Sequence, residues 1–133
     1  MAITLTFSTA GSFTIEDDGI AGNGTSIVRR DSDGAILAII PHPADALTFR
    51  AIVPGVHLTF NLTDSLGTGV LTVGNLTNTA ETPDSIVVHN IQSSSSVTLV
   101  SNGSITEGGS DLAADIVASA IILSAVSGVG TPG

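Results

Sequence analysis

The 133-residue chain has no Cys, Trp, Tyr or Lys, and its 3 Arg face 12 Asp and Glu, giving a formal net charge of −9. That balance excludes nucleic acid as a partner, because neutralising phosphates takes clustered basic side chains. The missing Cys excludes disulfides and thiolate metal sites.

A chain of this length fits one domain. It is 42% hydrophobic and 11% charged, which is not the composition of a disordered chain. No apolar run approaches the ~18 residues of a membrane span, so the chain is not expected to be membrane-spanning. The opening Met1–Phe7 has neither a basic nor an apolar signal region, so an export signal would lie outside this sequence.

Short apolar runs rich in Thr, Val and Ile are broken every few residues by Gly, Pro, Asn, Asp and Ser, which predicts an all-β fold. Ile3-Thr4-Leu5-Thr6-Phe7 alternates as a strand with one buried face, and Phe13-Thr14-Ile15 repeats the pattern. A Gly-rich loop runs over 16–24. Residues 25–30 and 35–40 form the arms of a hairpin around Asp31-Ser32-Asp33-Gly34, where Asp accepts local backbone bonds and Gly takes positive φ. Pro41-His42-Pro43 ends the second arm, because Pro cannot donate to a ladder. It divides the chain into an N-terminal segment, 1–45, and a repetitive one, 46–133.

In the second segment Ala46–Phe49, Val70–Val73, Val97–Val100 and Ile121–Ser124 resemble one another, with starts 24, 27 and 24 residues apart. Further strand candidates fall between them, at Val56–Phe60, Ser85–Val88, Ser104–Thr106 and Asp115–Val117. A period of about 24 residues with two strands per period predicts a parallel β-helix, or β-solenoid, whose coils add ~4.8 Å each. Leu47, Leu71, Thr98 or Leu99, and Ile122 would stack inside. The alternative is an antiparallel β-sandwich, whose strands recur every 8–12 residues. A short helical turn is expected over 111–114.

The stretches Ser104-Ile105-Thr106-Glu107-Gly108-Gly109, Leu112–Ser119 and Ile121–Gly133 resemble the passenger repeats of bacterial large exoproteins, the filamentous-haemagglutinin-like adhesins. The resemblance covers 97–133 well and 46–96 loosely. It implies a right-handed β-solenoid, secreted or at the cell surface, with a structural or adhesive role and no catalytic residue to carry over. Members of that family are usually far longer than this chain.

Candidate chemistry is sparse. His42, His57 and His89 would have to converge to hold a metal. Asp17, Asp18, Asp31 and Asp33 offer hard oxygen ligands of the type Ca²⁺ takes, but no Glu completes an EF-hand. No nucleophile elbow or phosphate loop is present. A glycosidase would need two carboxyls at a set separation, and a lyase would need basic groups. No enzyme and no obligatory cofactor are therefore expected. Ser93–Ser96 reads as a flexible or turn segment. Sequons begin at Asn23, Asn61, Asn75 and Asn102.

The expected function is structural: a unit of a fibre, sheath or adhesin stalk. Ile3, Leu5 and Phe7 form a donor strand at one end. Ile116, Ile121, Ile122, Leu123 and Val126 form an acceptor at the other, with no cap at either. Edges of this kind template the addition of another chain, giving a homo-oligomer or a head-to-tail filament. The alternative is an adhesin module that binds a surface glycan or receptor through loops 16–24 and 74–84.

Overall fold

The computed structural model describes residues 2–19, 24–41, 45–63, 65–107 and 116–130. The described chain is all-β, and its strands in order are β1 Ala2–Phe7, β2 Gly11–Asp17, β3 Thr25–Arg30, β4 Ile36–Pro41, β5 Ala46–Ala51, β6 Val56–Asn61, β7 Val70–Val73, β8 Ser85–Gln92, β9 Ser96–Ser101, β10 Ser104–Glu107, β11 Ile116–Val117, β12 Ala120–Ala125 and β13 Gly128–Gly130. One 3₁₀ turn, Thr79–Glu81, lies between β7 and β8. The expected turn at 111–114 falls outside the described residues.

The strands form two sheets, neither of them closed. The five-stranded sheet has the order β1-β5-β7-β9-β12 and is parallel throughout. The second has the order β13-β10-β8-β6-β2-β3-β4, with β11 also on β8. It is parallel from β13 to β2, and antiparallel across β2–β3 and β3–β4. Among the described residues the antiparallel pairing is therefore confined to β2, β3 and β4: the predicted hairpin and the strand beside it. From β5 onward the chain passes back and forth between the sheets, so each strand lands beside its predecessor of one passage earlier.

Register explains why the composition works. In the five-stranded sheet Leu47, Leu71, Val97 and Ile121 lie side by side, as do Phe49, Val73, Leu99 and Leu123. In the second sheet the aligned sets are Phe13, Leu58, Ile86, Ile105 and Val129, and then Ile15, Phe60 and Val88. Alternate residues point to opposite faces. The apolar sets therefore enter the core, and Thr4, Thr48, Thr72 and Thr98 line the outer face. The predicted inner column was one residue off at its far end: Val97 and Ile121 align with Leu71, not Thr98 and Ile122. A slip of one residue exchanges the faces. Its source is the step from Leu71 to Val97, 26 residues against 24 on either side.

All four Phe lie in the core between the sheets. Phe7 packs on Phe13 with ring centroids 4.7 Å apart, and Phe49 meets Phe60 edge-on at 5.3 Å. Both pairs bridge one sheet to the other. Truncating Phe49, which is fully buried, removes packing on both sides of the core.

Two glycines allow the backbone of neighbouring passages to touch. A Cβ on Gly74, which has φ +78°, would lie 2.7 Å from the Val100 carbonyl oxygen. A Cβ on Gly103 would collide with the Asp84 carbonyl oxygen. Gly103→Ala and Gly74→Ala are each expected to cost about 2 kcal/mol or more, and Phe49→Ala about 3–5 kcal/mol. Chemical denaturation of the three variants checks this; unchanged midpoints for the glycine variants would contradict the close approach.

Candidate functional site

Two regions of the fold stand apart from the core: the outer strands at either end of the sheet stack, and the polar corners where the chain changes sheet. At the β12–β13 end, Ile121 and Leu123 are 44% and 37% exposed, while Val97 and Leu99 in the same columns are fully buried. Side chains of the same kind at the same register differ because β12 is the outermost strand of its sheet among the described residues. Val126 is 78% exposed, and Ile122 and Val129 are also open to solvent. Ile116 is half-buried, paired with Ile91 and packed against the core.

The opposite end differs from expectation. Ile3 and Leu5 on β1 are half-buried against the core. Phe7 is buried in the aromatic cluster, so it is not available to another chain. The two sheets also end differently here: β1 is the edge strand of its own sheet among the described residues, while the second sheet continues past β2. β3 and β4 lie outside β2 and extend the second sheet by two strands beyond the level of β1. At ~4.8 Å per strand the overhang is roughly 10 Å. Leu5, Phe7, Val28, Leu37 and Ala38 line a small cavity of about 130 Å³ in this step. Ile36, Leu37 and Ile39 on β4 are exposed. Sequence reasoning missed them, although the continuous apolar run Ile36–Ile40 is more than a one-faced strand needs.

The acidic candidates are split along the hairpin rather than gathered. Asp31 Oδ1 accepts from Thr14 Oγ1 at 2.7 Å. Asp33 takes two bonds from Arg30, at 3.0 and 2.6 Å, and one from the Ala35 amide at 3.1 Å. Gly34 has the positive φ expected of the turn. Asp17 opposes Ser26 at the other end of the strand pair, with its Oδ2 accepting from the Gly19 amide at 3.1 Å. Asp18 follows it there. Among the described residues no group of three or more His, Cys, Asp and Glu is placed to share a metal ion. His57 Nδ1 is hydrogen-bonded to Ser85 Oγ at 2.7 Å. His89 is the extra residue of a bulge between the pairs Phe60–Val88 and Asn61–Asn90. Ser85 and His89 are separated by about 13 Å of strand, so the two imidazoles do not stack. His42 lies outside the described residues.

The corners are built from small polar side chains. The Ser93–Ser96 run is a bonded corner, not a flexible one. Buried Ser93 donates its hydroxyl to the Gly69 carbonyl at 2.6 Å and accepts from the Ser95 amide at 3.0 Å. Ser94 and Ser95 hydroxyls reach the carbonyls of Gly67 and Thr68, both at 2.8 Å. On the other side Asp84 Oδ2 accepts from the Gly55 amide at 2.7 Å, and Asn102 Nδ2 donates to the carbonyls of Thr79 and Thr82. Asn75 Nδ2 donates to Glu81 at 3.2 Å. The amides of two sequon asparagines therefore hold the corners.

Of the loops proposed for an adhesin site, residues 20–23 lie outside the described residues, and the described parts do not converge. Loop 74–84 lies at the corner that leads into β8, whereas residues 16–19 leave the far end of β2, roughly 20 Å away along the strands. Loop 74–84 does wall a shallow cleft of about 390 Å³ over Thr48, Thr72 and Thr98, with Arg50 at its edge. No helix among the described residues is long and apolar enough to cross a membrane. Comparisons with known protein families, with characterised proteins and with solved structures found no match.

Two outcomes are expected. Ser93→Ala removes a hydrogen bond from the buried Gly69 carbonyl and one from the half-buried Ser95 amide and should cost about 1–3 kcal/mol in denaturant unfolding. The hydrogen bonds from Arg30, aided by the Ala35 amide, hold the Asp33 carboxyl at about 2, below its ordinary 3.8. Because the folded value is depressed, the turn gains from this pair above pH 3.8 and loses the gain as pH falls towards 2. An NMR titration of the Asp33 carboxyl should give a midpoint near 2; a midpoint near 3.8 would show the pair to be absent.

Proposed function

We propose that the chain is a structural unit of an extracellular or cell-surface assembly: a short β-solenoid that joins other copies through its open strand edge. The alternation of the chain between two sheets, five strands deep on one side, is read as successive coils about one core. The observation that carries the functional reading is the exposure of Ile121, Leu123 and Val129, which continue buried columns onto strands paired on one side only among the described residues. Such an edge offers backbone N–H and C=O groups and apolar side chains in the spacing that another strand requires.

The outer surfaces support the same reading. With all four Phe inside and no Trp or Tyr in the chain, no aromatic side chain is left to stack on a sugar or anchor a hot spot. The Thr-lined sheet face is uncharged apart from Arg50, which stands 3.9 Å from Glu81.

Light scattering across a concentration series tests the proposal. The mass should rise above that of the monomer with concentration. Leu123→Glu, which places a charge on the edge, should weaken association at least tenfold with an unchanged strand circular-dichroism spectrum. A monomer at millimolar concentration would refute the assembly function.

A further inference from the structure

We propose that Asn102 is a conformation-gated deamidation site. It stays an amide while the corner between β9 and β10 is closed, and converts to aspartate or isoaspartate when that corner opens. The converted chain no longer closes the corner, so the step marks an opened chain irreversibly. The proposal is independent of the assembly reading.

The fold itself requires the labile pair. Position 102 needs a side chain with two N–H donors, because Asn102 Nδ2 donates to the Thr79 carbonyl at 2.9 Å and to the Thr82 carbonyl at 3.1 Å. Position 103 needs Gly, because a Cβ there would collide with the Asp84 carbonyl oxygen. In Asn followed by Gly, the next amide nitrogen reaches the side-chain carbonyl carbon with the least hindrance, since Gly has no Cβ and turns freely. The other described asparagines, Asn61, Asn75, Asn78 and Asn90, precede Leu, Leu, Thr and Ile, whose side chains obstruct that approach.

The step consumes only water. The Gly103 amide nitrogen bonds to Asn102 Cγ and gives up its proton. The Cγ–Nδ2 bond breaks, and ammonia leaves with that proton. Water then opens the resulting succinimide at either carbonyl. One opening gives aspartate; the other gives isoaspartate, with the main chain routed through Cγ.

The closed corner opposes this at each atom. The leaving nitrogen is tied through both its hydrogens to Thr79 and Thr82. The attacking Gly103 N–H donates to the buried Ser101 Oγ at 3.1 Å. The Asn102 backbone amide is held by the Pro83 carbonyl at 2.8 Å. Ring closure requires the side chain to leave two of these bonds and Gly103 to leave a third. The reaction therefore proceeds from the opened state, at a rate set by the population of that state.

Neither product fits the corner. A carboxylate accepts and does not donate, so the Thr79 and Thr82 carbonyls lose their donor and face a negative charge. Isoaspartate also lengthens the main chain by a carbon immediately before β10. The register of β10 on β8 begins there, at Ser104 beside Ser85, and the Gly103 backbone already touches Asp84.

The test compares native protein with protein held in guanidinium chloride, both at mildly alkaline pH. Peptide mapping with fragmentation follows the Asn102 amide over time and scores the other Asn-Gly pair, Asn23-Gly24, separately. Asn102 should convert at least tenfold faster in denaturant than in the native protein. Asn102→Asp, which makes the product directly, should unfold at a lower denaturant concentration than the parent or fail to fold. Equal rates in the two states, no conversion of Asn102 in denaturant, or an Asn102→Asp midpoint equal to that of the parent would each overturn the proposal.

Discussion

The fold depends on parallel register. Each passage of the chain must place its apolar positions beside those of the passage before, because alternate residues face opposite sides and one slipped residue would turn the core outward. Leu47, Leu71 and Val97 satisfy this in one sheet, and Phe13, Leu58, Ile86 and Ile105 in the other. The Phe cluster then ties the sheets together where β1, β2, β5 and β6 meet. A stack of this kind has a structural consequence: among the described residues, β12 carries apolar side chains like those of the interior strands but is paired on one side only. Ile121 and Leu123 are exposed for that reason.

The corners explain much of the unusual composition. Thr on the strands faces outward, while Ser93, Ser94, Ser95, Asp84, Asn75 and Asn102 use short polar side chains to satisfy backbone groups left over where the ladders stop. Short side chains lose little conformational freedom in doing so. Gly74 and Gly103 make room for the backbone of the next passage. A Lys-free, Ser- and Thr-rich chain is therefore compatible with a well-bonded interior.

Much of this was legible in the sequence. Alternation of Thr with Ile, Leu and Phe marked the strands, and the Asp-Ser-Asp-Gly turn marked the hairpin. The recurrence of about 24 residues pointed to parallel strands. Four things were not legible. The period lengthens to 26 between Leu71 and Val97, in the passage that holds the 3₁₀ turn and the His89 bulge, and a fixed period cannot show a local insertion. The hairpin read as a local unit, and its position beyond β2, where it acts as a cap on one sheet, is a property of the tertiary pairing. Phe7 read as an exposed donor residue because a strand pattern identifies one buried face without saying what buries it. The acidic candidates, likewise, were close in sequence but are held apart by strand length.

The most direct test of the account is residue-resolved amide hydrogen exchange at low and high protein concentration. The interior strands β5 to β9 should be protected at both. The outward-pointing amides of β12 should exchange freely when dilute and become protected when concentrated. β12 amides that exchange equally at both concentrations would contradict an assembly face at the β12–β13 end.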